Sequence, residues 1–109
     1  MFLTKEQILN ADDLETKEVK AFGGKILIRS LTAEEREELR KEVEASGQDL
    51  LKMMVKLVSL TVINEKKERL FTENDVEALS KKSAKELDKV FQVAQSLAGL
   101  GVVKETEKN

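Results

Sequence analysis

Leu50-Leu51-Lys52-Met53-Met54-Val55-Lys56-Leu57-Val58-Ser59-Leu60-Thr61-Val62-Ile63 is the stretch on which the fold turns. Its apolar residues cover most of the circumference of a helix that begins at about Asp49. They leave one narrow polar stripe of Lys52, Lys56 and Ser59. A helix this apolar is buried on several sides, which places it at the centre of a bundle. It is no membrane span: charge interrupts it, and it is shorter than the roughly 20 residues a bilayer requires.

The segments upstream supply partners for it. Thr32 and Glu35 form a capping box that opens a second helix, with Glu34 and Glu35 at the positive end of its dipole. Its apolar face is thin, with Leu39 and Val43 on it and Leu31 before the cap, and Ser46-Gly47 ends it. Before it lies a β-hairpin. Val19 and Ala21 sit on one arm, Lys25-Ile26-Leu27-Ile28-Arg29 forms the other, and Gly23-Gly24 supplies the positive-φ residues of a tight turn. A lone hairpin is marginal in water, so it must pack on helices or pair with another chain. At the start, Thr4 and Gln7 cap a short helix whose apolar side is Ile8 and Leu9, and Asn10-Ala11-Asp12-Asp13-Leu14 reads as a loop.

Downstream, Asn64 to Arg69 is a polar turn and Leu70-Phe71 a short apolar anchor. Thr72 caps a short helix, with Asp75 at its third position and Val76 and Leu79 facing inward. Ser83 and Glu86 form a further capping box. The helix after it carries Leu87, Val90, Phe91, Ala94, Leu97 and Ala98 at i, i+3, i+4, i+7 spacing. Phe91 falls mid-stripe, which predicts burial and a cost of about 3–5 kcal/mol for Phe91→Ala. Gly99 or Gly101 ends this helix. The pattern predicts a mainly α fold with a small β-hairpin (α+β), a bundle of about four to five helices with the hairpin near the N-terminus. One domain covers residues 1–101, with the hairpin at about 18–30, and 102–109 form a flexible tail.

Composition narrows the chemistry. The 109 residues include no Cys, His, Trp, Tyr or Pro. Disulfides, zinc–thiolate sites, thiol nucleophiles and Ser–His or Cys–His catalysis are thereby excluded. The net charge of −2 argues against a nucleic-acid binder that works through bulk charge. No secretory signal opens the chain, so cytoplasmic residence is the default expectation. The acidic group Asp12, Asp13 and Glu15 lacks the alternate spacing and central Gly of a calcium loop. Gly23-Gly24 lacks the Lys-Ser/Thr pair of a phosphate loop. No catalytic, cofactor or metal site is expected. The charged helix Glu34–Glu44 reads as a solvated face, with an acidic docking surface as the functional alternative. Residues 72–80 and 83–98 together imitate a helix-turn-helix. However, Lys85, Glu86, Asp88, Lys89, Gln92 and Gln95 give the second helix an outer face of mixed sign, poor for DNA.

The order of these segments resembles the tail assembly chaperones of long-tailed bacteriophages. The resemblance is carried by Ile8 to Leu14, by Gly23 to Thr32 with Glu35-Arg36, and by Leu70-Phe71-Thr72 with Asp75 and Leu79. Lys82-Ser83 and the closing Leu87, Val90-Phe91, Ala94 and Leu97 complete it, so that it runs from about Ile8 to Leu100. Phe22 stands where family members often carry Trp. The resemblance implies a non-enzymatic protein of the host cytoplasm, absent from the mature virion, that binds the tape measure protein and recruits tail tube subunits without nucleic acid or membrane. It also implies a longer product made by ribosomal frameshifting near Glu107-Lys108-Asn109. The expected contact surface is the hairpin at Phe22, Ile26 and Ile28 and the helix edge at Met53, Met54 and Leu57. An exposed hairpin edge also allows self-association, across a two-fold axis or into a ring or spiral. The alternative to a chaperone is a small helix-turn-helix-like DNA-binding regulator.

Overall fold

The computed structural model describes residues 1–99. The order of elements is α1 (Lys5–Leu9), β1 (Thr16–Ala21), β2 (Gly24–Arg29), α2 (Ala33–Ala45), α3 (Leu50–Thr61), β3 (Val62–Ile63), a 3-10 turn (Glu73–Asp75), α4 (Val76–Ser80) and α5 (Ala84–Leu97). The fold is α+β: five α-helices and a three-stranded antiparallel sheet in the order β1-β2-β3. The expected tail over 102–109, Gly101 and the Glu107–Asn109 end lie outside the described residues.

The apolar stretch does form the centre, but it divides. Residues 55 to 61 of α3 are all buried, so helices and sheet enclose it on several sides. The helix stops at Thr61, whose hydroxyl donates back to the Leu57 carbonyl at 2.7 Å. Val62 then turns extended, and Val62–Ile63 pair with Ile28 and Leu27. The periodicity extends the helix through Val62, because a short apolar run fits helix and strand alike. The unpaired edge of β2 decides it: the two β-branched residues satisfy backbone groups that β2 would otherwise leave open.

The polar stripe is corrected too. Lys56 and Ser59 are buried. Ser59 donates to the Lys56 carbonyl at 2.8 Å, and the Lys56 ammonium reaches Glu38 at 2.8 Å and Glu73 at 2.9 Å. Burial by itself lowers the Lys56 pKa, but its bonds to Glu38 and Glu73 outweigh that and raise it, so the ammonium stays charged.

Caps follow the residues that announce them. Thr4, Thr32 and Thr72 each close a capping box. At the end of α2, Gln48 N–H reaches the Val43 carbonyl and Gly47 N–H the Glu44 carbonyl, a Schellman pair that needs the positive φ of Gly47. The hairpin turn departs from expectation. Ala21 already pairs with Gly24, so the two-residue loop is Phe22-Gly23, with φ of 56° and 79°. A two-residue loop with both φ positive is the geometry that matches strand twist, and here Phe22 takes the place expected of Gly24.

The core gathers α3, the sheet and α5: Ile28, Val58, Leu60, Val62, Leu87, Val90 and Ala94 are buried. Phe91 is only partly buried, at the flank of this stripe, which corrects the expectation of full burial. Phe91→Ala therefore costs about 2 kcal/mol, below the range for a fully buried Phe. Urea unfolding of the variant checks this, and a loss above 3 kcal/mol would contradict the placement.

Candidate functional site

The residues expected at the contact surface separate into three places. Ile28 and Leu57 have no exposed surface in the folded chain, so they support a surface and do not form one. Phe22 is 45% exposed and, with the half-buried Ile26, borders an apolar hollow beneath the hairpin tip. Met53 and Met54 are half-buried, and Met53 lines a separate groove along α2. The hairpin and Met53 thus belong to different depressions.

The hollow has a volume of about 210 Å3 and no polar atom on its open surface. Phe22, Ile26, Leu70, Phe71, Leu87 and Val90 line it, with Lys82 beside them. Five separated segments meet here: the hairpin, the run from α3 into β3, the Leu70-Phe71 anchor, α4 and α5. The tip is held from α5, because Phe22 N–H donates to the Glu86 carboxylate at 2.7 Å. That bond, with help from Lys89 at 2.9 Å and the charge of Lys85, lowers the Glu86 pKa. Ser83 does accept from Glu86 N–H, but the Glu86 side chain turns to the hairpin instead of closing the expected capping box. A strained donor sixty-four residues away outcompetes the local one.

Phe22 itself is a costly choice. The left-handed conformation costs an L-residue about 1–2 kcal/mol, and turns of this kind take Asn or Gly. Phe22→Asn is expected to leave the chain as stable as before or up to about 1 kcal/mol more stable, since Asn suits the conformation and Phe22 is half in solvent. Thermal unfolding checks this, and a marked fall in Tm would show that the ring is needed for packing. A bulky aromatic kept where the backbone disfavours it points to a use for the ring outside the fold.

The groove is larger, about 980 Å3, and lies between α2, the Asp13–Glu15 and Ser30–Ala33 segments and the end of α5. Leu14, Leu31, Val43, Met53 and Leu97 form its apolar side. Its rim is of mixed sign: Arg40 bridges Glu37 and Glu44 across one exposed face of α2. A third apolar surface was not expected. No residue of α1 is buried, and Phe2, Leu3, Ile8 and Leu9 all stand exposed. Sequence patterning gives α1 an inward side, yet a five-residue helix with two apolar residues finds nothing to pack on.

The buried polar centre is Glu35, which capping alone would leave at the surface. Arg29 grips its carboxylate with two bonds of 2.8 Å, Arg69 adds another, and Thr32 N–H a fourth at 3.0 Å. Burial pushes the Glu35 carboxyl up, but the bonds from Arg29, Arg69 and Thr32 outweigh it and hold it at about 2. This ties β2, α2 and the loop after β3 together. It is a structural node and not an acid–base site, because every oxygen is already engaged by cations or backbone. Among the described residues no three of His, Cys, Asp or Glu are grouped to hold a metal ion, and no helix is long and apolar enough to cross a membrane. The α5 helix turns Leu87, Val90 and Ala94 into the core and leaves Lys85, Asp88, Lys89 and Gln92 outside, a face of mixed sign.

The overall arrangement has a known counterpart. It is similar in fold to the bacteriophage HK97 tail assembly chaperone. The two share 17% sequence identity at a TM-score of 0.62, over 84% of this chain and 90% of that one. No protein-family model matches the chain, and no curated protein matches it. The likeness thus lies in the fold and hardly in the residues.

Proposed function

We propose that this chain is a non-enzymatic tail assembly chaperone, which binds the tape measure protein in the host cytoplasm, helps recruit tail tube subunits and is left out of the finished virion. The observation that carries this reading is the shared fold with a tail assembly chaperone over most of both chains. The order of motifs from Ile8 to Leu100 supports it independently. The surfaces suit it physically. A long helical client needs its apolar stripe covered until the tube surrounds it, and this small chain offers apolar depressions rimmed by charge.

The test is co-expression with the tape measure protein encoded beside it, followed by a solubility assay and pull-down. A client that is soluble only when this chain is bound bears the proposal out. A client that never associates with it removes the function and leaves the fold. A frameshifted longer product belongs to the same proposal, and the gene's nucleotides decide it: a slippery run of A's across Glu107-Lys108-Asn109 followed by an open frame is the expected finding.

A further inference from the structure

The flank of the hairpin tip that faces α5 is rich in lysine. Lys82 lines the apolar hollow itself. Lys20, Lys25 and Lys89 line the adjoining depression on the other flank of the tip, and Lys85 lies close enough to act on Glu86. Two of these lysines are paired, Lys89 with Glu86 at 2.9 Å and Lys25 with Glu18 at 3.9 Å, and among the described residues Lys20, Lys82 and Lys85 form no ion pair. An apolar socket thus sits beside a lysine-rich flank, in a chain whose net charge is negative.

We infer that the hollow under Phe22 is the socket for one bulky aliphatic or aromatic side chain of an amphipathic partner helix whose flanking residues are acidic. Its size fits. A cavity of about 150 Å3 accommodates benzene, so about 210 Å3 takes one large side chain. An apolar anchor surrounded by complementary charge is how helix-in-groove partners are held and oriented. The half-exposed ring of Phe22 forms a wall of the socket, which accounts for an aromatic residue at a left-handed turn position. The inference rests on the chaperone reading for one thing only, that the partner is the tape measure protein; the chemistry of the socket stands without it.

The chain contains no Trp, so a Trp on the partner reports binding directly. The probe is a synthetic amphipathic helical peptide with one Trp and several Leu on its apolar face and Glu on both flanks, titrated against the full chain. The expected result is a saturable blue shift of Trp emission. Binding should be about tenfold weaker for the same peptide with Lys in place of Glu, and should weaken as salt is raised. Phe22→Asn, which keeps the fold, should lose at least about tenfold in affinity, as should the triple variant Lys20→Glu, Lys25→Glu, Lys82→Glu. Equal binding of the Glu and Lys peptides, or undiminished binding by Phe22→Asn, overturns the inference. So does displacement of the peptide by duplex DNA at low salt, which would reassign the lysines to phosphate contact. The tape measure pull-down separates the two proposals. A client held equally by wild type and both variants leaves the chaperone reading intact and removes the socket. A chain that binds the Glu peptide but not the client does the reverse.

Discussion

Replacing Glu35 by Gln is expected to remove about 3 kcal/mol of stability, because it leaves the largely buried Arg29 guanidinium without its counter-charge. A domain of this size has only about 5–15 kcal/mol in total, so the Tm should fall by at least about 12 °C. Replacing both partners with apolar residues, Glu35→Leu with Arg29→Met, should be much milder, since the one guanidinium then left without its carboxylate, Arg69, is partly in solvent. The same carboxylate gives the wild type an acid limb. Its pKa lies at about 2 in the folded chain, below its ordinary value of 4.5. The unfolded chain therefore takes up this proton first as pH falls. The stabilisation is complete above 4.5 and is lost progressively from there down to 2. Urea titrations at pH 7, 4 and 3 should show wild type and Glu35→Gln converging as pH falls, since below 4.5 the unfolded wild type binds a proton that the folded chain does not. A gap that stays constant with pH would show that Glu35 acts through packing alone.

Leu57→Ala is expected to cost about 2–5 kcal/mol, and Leu51→Ala, six residues earlier on the same helix, less than about 1 kcal/mol. Leu57 is fully buried between the helices and the sheet, so its loss leaves a cavity, whereas Leu51 is 48% exposed. The contrast also bears on function. A substitution at Leu57 or Ile28 that abolishes partner binding does so through the fold, because neither side chain reaches the surface. Equilibrium unfolding of the two variants side by side decides this, and equal losses would mean that Leu51 is covered.

Much of the architecture was legible from local chemistry. The threonine caps at 4, 32 and 72, the hairpin and the apolar helix after Asp49 are all where their residues place them. These features depend on neighbours within four residues, or on an alternation that only one face of a sheet can satisfy. Two of the misreadings share one cause. At Val62–Ile63 and at Glu86, two local options were close in energy, and a distant partner chose between them. The partners were the free edge of β2 and the strained N–H of Phe22. Exposure at the expected contact residues was legible in part. Phe22 and Ile26 border a surface hollow, since a hairpin tip must be exposed somewhere. Ile28 and Leu57 were misplaced because an apolar residue looks the same whether it waits for a partner chain or already has one within its own.

The sequence by itself determined the class of fold, the helix boundaries set by caps, and the exclusion of thiol and imidazole chemistry, since these follow from residue identity and short-range geometry. Only the tertiary structure decided that the sheet has a third strand, that Lys56 and Glu35 lie buried and paired, and that Phe22, Leu70 and Lys82 surround one hollow. Each of those joins residues from different elements of the chain, and their energies exist only once the chain has brought them together.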